Sequence, residues 1–160
     1  MYARDTALIA TPIGVIRIMG DEHRITSIRV EGGDDAPIEA RTAAVALAAA
    51  QLTAWFSGER TDFDLPLAPA ATPRGGALRQ GMIGIGYGET MSYGALAKSI
   101  DSGPRAIGQA CARNPYPIVV PCHRILNADG SLGAYSAGNG PATKQWLLDR
   151  ERRHSKGIQG

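Results

Sequence analysis

Short apolar runs over Thr6–Ala10, Gly14–Met19 and Ile25–Val30 read as strands, with Gly20-Asp21-Glu22-His23 as the turn between the latter two. Gly32-Gly33-Asp34-Asp35 then breaks the chain. From Pro37 to Phe56 the pattern is that of an alanine-rich helix. Its core stripe is Val45, Ala48, Leu52 and Trp55 with Phe56, at three- and four-residue steps, and Ser57-Gly58 ends it. Phe63, Leu65 and Leu67 alternate with polar or small neighbours, as in a strand. The proline- and alanine-rich run from Pro66 to Pro73 is the best linker candidate. These elements predict an α+β unit over residues 1–71, an antiparallel sheet with a helix, followed by a mostly helical unit over 72–160.

The second unit opens on a poor helix, Arg74 to Ile85, interrupted by Gly75, Gly76, Gly81 and Gly84. Ser92 is placed to cap a short helix through Ile100, with Tyr93 in its first turn. Asp101-Ser102-Gly103 makes a tight turn, and Pro104 suits the start of a second helix running to Arg113. Two short helices around a three-residue turn have the form of a helix-turn-helix. On the second of them Ile107 and Cys111 share an inward face. Ala106, Gln109, Ala110 and Arg113 share the other, small and polar enough for a backbone or a groove to approach. Three prolines then push the chain toward extended geometry, so Ile118-Val119-Val120 reads as a buried strand delivering Cys122-His123-Arg124. A final helix starts at Pro141, with Trp146, Leu147 and Arg150 on one side and Glu151 following.

Composition narrows the function. The longest apolar stretch, Ala43 to Ala50, is far short of the ~20 residues of a bilayer span. No signal peptide is expected, because Arg17 and the acidic cluster after it interrupt the early apolar run. Two cysteines make neither a disulfide framework nor a zinc site, so reduced thiols and a cytoplasmic location are expected. The net charge of +2 hides an asymmetry. Residues 1–71 hold six basic and ten acidic residues, a net of −4; residues 72–160 hold eleven and five, a net of +6. A basic second half suggests a polyanionic partner, and chance with solubility is the alternative at this level.

Cys122 is the strongest nucleophile candidate. A thiol needs a base or a positive charge beside it to react, and His123 and Arg124 are adjacent, with Glu151 available to orient the histidine. In an extended segment residues 122 and 123 point to opposite sides, which favours a bridging water over direct contact. The bare Cys-His pair is equally consistent with a buried structural cysteine beside a surface histidine.

The surroundings of the pair go further. Asn114-Pro-Tyr-Pro-Ile-Val-Val-Pro-Cys-His-Arg-Ile125 resembles the active-site signature of the O6-alkylguanine-DNA alkyltransferases. So do Gly88-Glu89-Thr90-Met91-Ser92-Tyr93-Gly94, Arg105-Ala106-Ile107-Gly108, Gly133-Ala134-Tyr135-Ser136 and Lys144-Gln145-Trp146-Leu147-Leu148, in the same order. Thr11-Pro12-Ile13-Gly14 and Leu52 to Gly58 resemble the family's N-terminal domain. The resemblance spans nearly the whole chain. It implies a ribonuclease H-like first domain and a winged-helix-like second one.

The same resemblance implies a set of roles. Cys122 would accept the alkyl group, His123 would deprotonate it through water, Glu151 would hold His123, and Asn114 would brace the turn before the active-site segment. Arg105 would fill the space of the flipped nucleotide. Tyr93 would crowd the 3′ phosphate and give a proton to guanine. Val120, Tyr135 and Ser136 would line the guanine pocket. Ala106, Gln109, Ala110, Arg113, Arg124 and Gly94 would meet the duplex from its minor groove. The partner implied is double-stranded DNA carrying O6-alkylguanine, or less favourably O4-alkylthymine, met by a monomer. No cofactor is expected. No metal is either, since residues 1–71 lack the cysteines with which some relatives hold zinc. The thioether product has no evident resolving thiol, so each molecule would act once.

The chain departs from the family pattern in places. Arg74-Gly75 and Leu78-Arg79 stand where relatives carry Phe-Gln and Val-Trp, and Gly86 where they carry proline. The loop after Tyr135 is longer, and the one between Tyr93 and Arg105 shorter. These changes bear on the packing beneath the second helix and on pocket width. Arg79, for instance, could turn outward or pair with an acid of the first domain. Competing readings are a non-reactive lesion-binding relative, which would replace Cys122, a plain winged-helix regulator, and a cysteine hydrolase.

Overall fold

The computed structural model describes residues 4–159, with side chains as far as Ser155. Contacts divide the chain into two units, Met1–Ala68 and Pro69–Gly160. In the first, β1 (Asp5–Thr11), β2 (Gly14–Gly20) and β3 (Ile25–Gly32) form an antiparallel sheet in chain order. Asp21 sets the β2–β3 turn, its Oδ1 accepting the N–H groups of His23 at 2.8 Å and Arg24 at 2.9 Å. Glycine is required at position 14, where φ is +100° and a Cβ would lie 2.4 Å from Gly32 Cα. Helix α1 (Ala43–Ser57) packs Val45, Ala48, Leu52 and Trp55, all fully buried, against Ile16, Ile18 and Ile25 of the sheet.

Two features of this unit differ from the sequence pattern. Helix α1 begins at Ala43 rather than Pro37, because the buried Asp5 carboxylate fixes its first turn. Asp5 Oδ2 accepts from Arg41 N (2.8 Å), Thr42 N (2.7 Å) and Thr42 Oγ1 (2.8 Å). Ile38 instead bridges to Leu8 at the edge of β1. The alternation at Phe63, Leu65 and Leu67 does not become a strand either. Leu67 makes one isolated bridge to Ile25, while the backbone at Asp64 is held by the Gln51 side chain at 2.9 and 3.1 Å. Pro66, with no N–H to donate, does not extend that ladder.

The second unit is built from α2 (Pro73–Ile83), α3 (Tyr93–Ser99), α4 (Pro104–Ala112) and α5 (Pro141–Gln159). Thr72 caps α2 by accepting from Gly75 N, and Ser92 caps α3 by accepting from Ala95 N, both at 3.0 Å. Between α3 and α4 the chain reverses through Asp101 at φ 51°, a left-handed position that aspartate tolerates. Gly81 lets α2 approach this pair: a Cβ there would meet Ile100 Cγ2 at 2.9 Å. The half-buried Arg79 places its guanidinium over the Tyr116 ring, 5.2 Å from the centroid. Two-residue strands β4 (Met91–Ser92) and β5 (Ile125–Leu126) pair in parallel, Met91 with Ile125 and Ser92 with Leu126. That pairing, unmarked in the sequence, carries the start of α3 to the segment holding Cys122. No helix among the described residues is long and apolar enough to cross a membrane.

Candidate active site

The segment between α4 and Cys122 is a buried turn and not the expected strand. Ile118 takes φ 74°, unusual for a β-branched residue, and Val120 N reaches back to Tyr116 O at 2.9 Å. Asn114 organises the reversal. Its Oδ1 accepts from Tyr116 N at 2.9 Å, and its Nδ2 donates to Val120 O at 2.9 Å and to Cys122 Sγ at 3.3 Å. The Val120 carbonyl accepts from both Asn114 Nδ2 and Cys122 N.

Cys122, His123 and Arg124 form a single 3-10 turn, so the anticipated extended geometry is absent as well. The thiol is 3% exposed and lies on a cavity of about 310 Å³. Tyr93 of α3, with Gly108, Cys111 and Ala112 of α4, forms one wall, and Ala134, Tyr135 and Ser136 form the other. Cys111, expected to pack inward beside Ile107, instead opens to this cavity, as Cys122 does. The neighbouring Cys111 thiol lowers the Cys122 thiol to about 7 against the opposing effect of burial, with Asn114 and the charge of Lys144 adding to it. Cys111 is driven upward by the nearby Cys122 and by burial.

Behind the thiol stands a buried ionic cluster. His123 Nε2 lies 2.7 Å from Glu151 Oε2, both residues being 0% exposed. Burial depresses the imidazole below its ordinary range more than Glu151 raises it, so the ring is neutral at pH 7. Its Nδ1 has no hydrogen-bond partner among the described residues, which leaves that nitrogen free to take a proton. Burial alone would raise Glu151, yet the hydrogen bonds and charges of His123 and Arg124 hold it at about 2.

Arg124 corrects an expectation. Rather than facing a phosphate, it is 6% exposed and grips Glu151 through Nε at 2.9 Å and Nη2 at 2.8 Å, while Nη1 donates to Ile85 O at 2.6 Å. A buried carboxylate beside a neutral histidine needs this cation, and the buried position leaves no surface for DNA. Gly88 N adds a fourth donor to Glu151 at 3.2 Å.

Lys144 was missed. It is fully buried, its Nζ donates to Leu132 O at 2.5 Å, and it lies 5.9 Å from the Tyr93 ring centroid. The signal was present: Lys144 precedes Glu151 by seven residues, two turns along the same helix face.

The remaining candidates divide by exposure. Arg105 and Gln109 of α4 and Arg113, which caps its C-terminus, are exposed, with Ala106 and Ala110 half-buried between them. Gly94 is half-buried, and a Cβ there would meet nothing within 4 Å.

Residues 77–153 match the family model described as 6-O-methylguanine DNA methyltransferase, DNA binding domain, and residues 6–69 match its ribonuclease-like domain. The chain belongs to the 6-O-methylguanine DNA methyltransferase family. Within that family it is 39% identical to a methylated-DNA–protein-cysteine methyltransferase of Mycolicibacterium paratuberculosis, over 92% of both chains. It is 37% identical to the constitutive one of Bacillus subtilis, over 89% of this chain and 92% of that one. Among solved structures, Mycobacterium tuberculosis OGT in complex with DNA superposes with a TM-score of 0.79 at 34% identity, covering 93% of each chain. The second unit is thus a methyltransferase-family DNA-binding domain, with Cys122 buried inside it.

Proposed function

We propose that this chain repairs alkylated DNA by one irreversible transfer of an alkyl group from O6 of guanine, or less well O4 of thymine, to Cys122. The observation that carries the reading is a thiol on the cavity floor, backed by a neutral, Glu151-held histidine with a free Nδ1. The proton of Cys122 passes to His123, directly or through one water. The sulfur lone pair then attacks the alkyl carbon, the C–O6 bond breaks, and its electrons return to the guanine. Tyr93, whose hydroxyl burial keeps protonated, supplies the proton that the departing base takes up. Tyr135 and Ser136 flank the base. A thioether offers no leaving group, so the protein is consumed. The neighbouring Cys111 does not reverse this, because a thiol exchanges with disulfides and not with thioethers.

O6 lies inside a stacked duplex, so the base must be flipped out to reach a buried sulfur. The small surface of Ala106 and Ala110, flanked by Gln109 and Arg113, suits insertion of α4 into the minor groove by a monomer, with Gly94 close to the backbone. Arg105 at the helix start fills the vacated space.

The test is the mass of the intact protein after incubation with duplex DNA containing O6-methylguanine. One added methyl group, on the peptide carrying Cys122, is expected, and Cys122→Ser should bind DNA and remain unmodified. Tight binding by the natural chain at unchanged mass would favour a non-reactive lesion binder instead, and turnover beyond one equivalent would favour a hydrolase.

A further inference from the structure

The chain just after α2 makes three successive contacts with the ionic cluster behind the thiol. Ile85 O accepts from Arg124 Nη1, Arg124 Cζ lies over the Tyr87 ring at 5.7 Å from its centroid, and Gly88 N donates to Glu151 Oε1 at 3.2 Å. Gly86 O accepts from Glu89 N at 3.0 Å, which makes Gly88 the third residue of a turn, at φ 78°. A turn alone would accept asparagine there. The neighbourhood does not. A Cβ on Gly88 would overlap Ser155 Oγ and lie 3.0 Å from Ser155 Cβ, one turn along α5 from Glu151. The hydroxyl can rotate away, but the Cβ is fixed to the helix. Close approach to α5 therefore demands glycine as firmly as the backbone angle does.

Resting on the base role given above to His123, we propose that Gly88 is a positioning residue for alkyl transfer, its backbone N–H fixing the Glu151 carboxylate against the imidazole. Arg124 grips both Glu151 oxygens from one side chain and would follow the carboxylate if it turned. Gly88 belongs to a different segment, which leads into the pairing of β4 with β5, and it holds Oε1 from there. A rotation that takes Oε2 away from His123 Nε2 thus breaks the Gly88 bond as well. The imidazole proton is kept on Nε2, where Oε2 accepts it, and Nδ1 stays bare for the proton of Cys122. At 3.2 Å the Gly88 bond stands at the long end of the N–H···O range, so little displacement is needed to break it.

The test follows the ring nitrogens of His123 by magnetic resonance, and the single-turnover rate with free O6-benzylguanine. It compares the natural chain with Gly88→Ala, Ser155→Gly and the double variant. The natural chain should show His123 protonated on Nε2 alone, and its Gly88 amide should exchange with solvent at least about tenfold more slowly than in an unfolded chain. In folded Gly88→Ala both tautomers should appear, and the rate should fall roughly tenfold, short of the ~10²-fold that the base itself contributes. Ser155→Gly should behave as the natural chain. The double variant, in which the new Cβ meets neither Ser155 atom, should recover the single tautomer and most of the rate. A loss of stability alone would leave the tautomer of the folded protein unchanged. A Gly88→Ala protein with the natural tautomer and rate, a double variant no better than Gly88→Ala, or an unprotected Gly88 amide in the natural chain would each overturn the proposal. Tautomer and amide exchange need no substrate. Their expected values in a chain that accepts no alkyl group would overturn the acceptor role of Cys122 and leave the Gly88 contact standing.

Discussion

Replacing Glu151 by glutamine removes one negative charge from between two buried bases and leaves Arg124 with no counter-ion. Breaking a buried ion pair from one side costs about 3–5 kcal/mol, so urea denaturation of Glu151→Gln should show a large loss of stability. Alkyl transfer should slow toward the ~10²-fold that a positioned base contributes, read as the single-turnover rate. The same cluster sets an acid limit. Glu151 is held at about 2 in the folded protein against an ordinary 4.5, so its stabilisation is complete above 4.5 and is lost as pH falls through about 2. His123 is depressed below its ordinary 6.5 by burial, so the unfolded chain takes up its proton first, and stability also declines as pH drops below 6.5. Both slopes have the same sign. The denaturation midpoint of the second unit should therefore fall steadily from pH 7 to pH 3, and a flat profile would contradict the cluster. At this scale the sequence was half legible. His123 and Glu151 meet as their chemistry suggested, but no pattern marks Arg124 as Glu151's partner, since the contact spans 27 residues and depends on how α5 packs.

Among the helices, α2 tests whether glycine is a defect or a fit. Gly76 has nothing within 4 Å of where a Cβ would stand, whereas a Cβ on Gly81 would press on Ile100. Gly76→Ala should stabilise the second unit by up to about 1 kcal/mol through helix propensity. Gly81→Ala should gain nothing or lose stability, because Ile100 must move. Equal gains at both positions, measured by thermal denaturation, would mean that α2 does not pack on Ile100. The helices themselves were legible from caps and breakers, Ser92 and Pro104 above all. The turn before Cys122 was not. Three prolines and a β-branched triplet read as extended chain, and only the Asn114 side chain, bonding at three points, turns Ile118 into the left-handed region. In the first unit a buried carboxylate thirty-seven residues away from Thr42, rather than any local residue, decides where α1 begins.

Over the whole molecule the charge is divided, −4 before residue 72 and +6 after it. Each phosphate neutralised contributes about 0.9 to the logarithmic salt slope of binding. DNA affinity should thus fall steeply with salt, and Arg113→Ala should lower the slope by about 1. Arg124, spent on Glu151, should not act in this way: its removal should damage folding before it alters the slope. Arg105→Ala should slow repair within a duplex far more than reaction with free O6-benzylguanine, because only the duplex leaves a gap to fill. Equal losses on the two substrates would remove that role. The sequence made the charge division plain, but it could not say which arginines the second unit keeps for its own interior.

Glu151 also fixes when the thiol becomes competent. A ribosome delivers Cys122 well before Glu151, which lies 28 residues beyond His123. Until that helix turn has emerged and docked, the nascent chain carries a nucleophile with an unanchored base and an uncompensated Arg124. Premature termination anywhere between the two would release a protein able to display the cysteine but not to activate it.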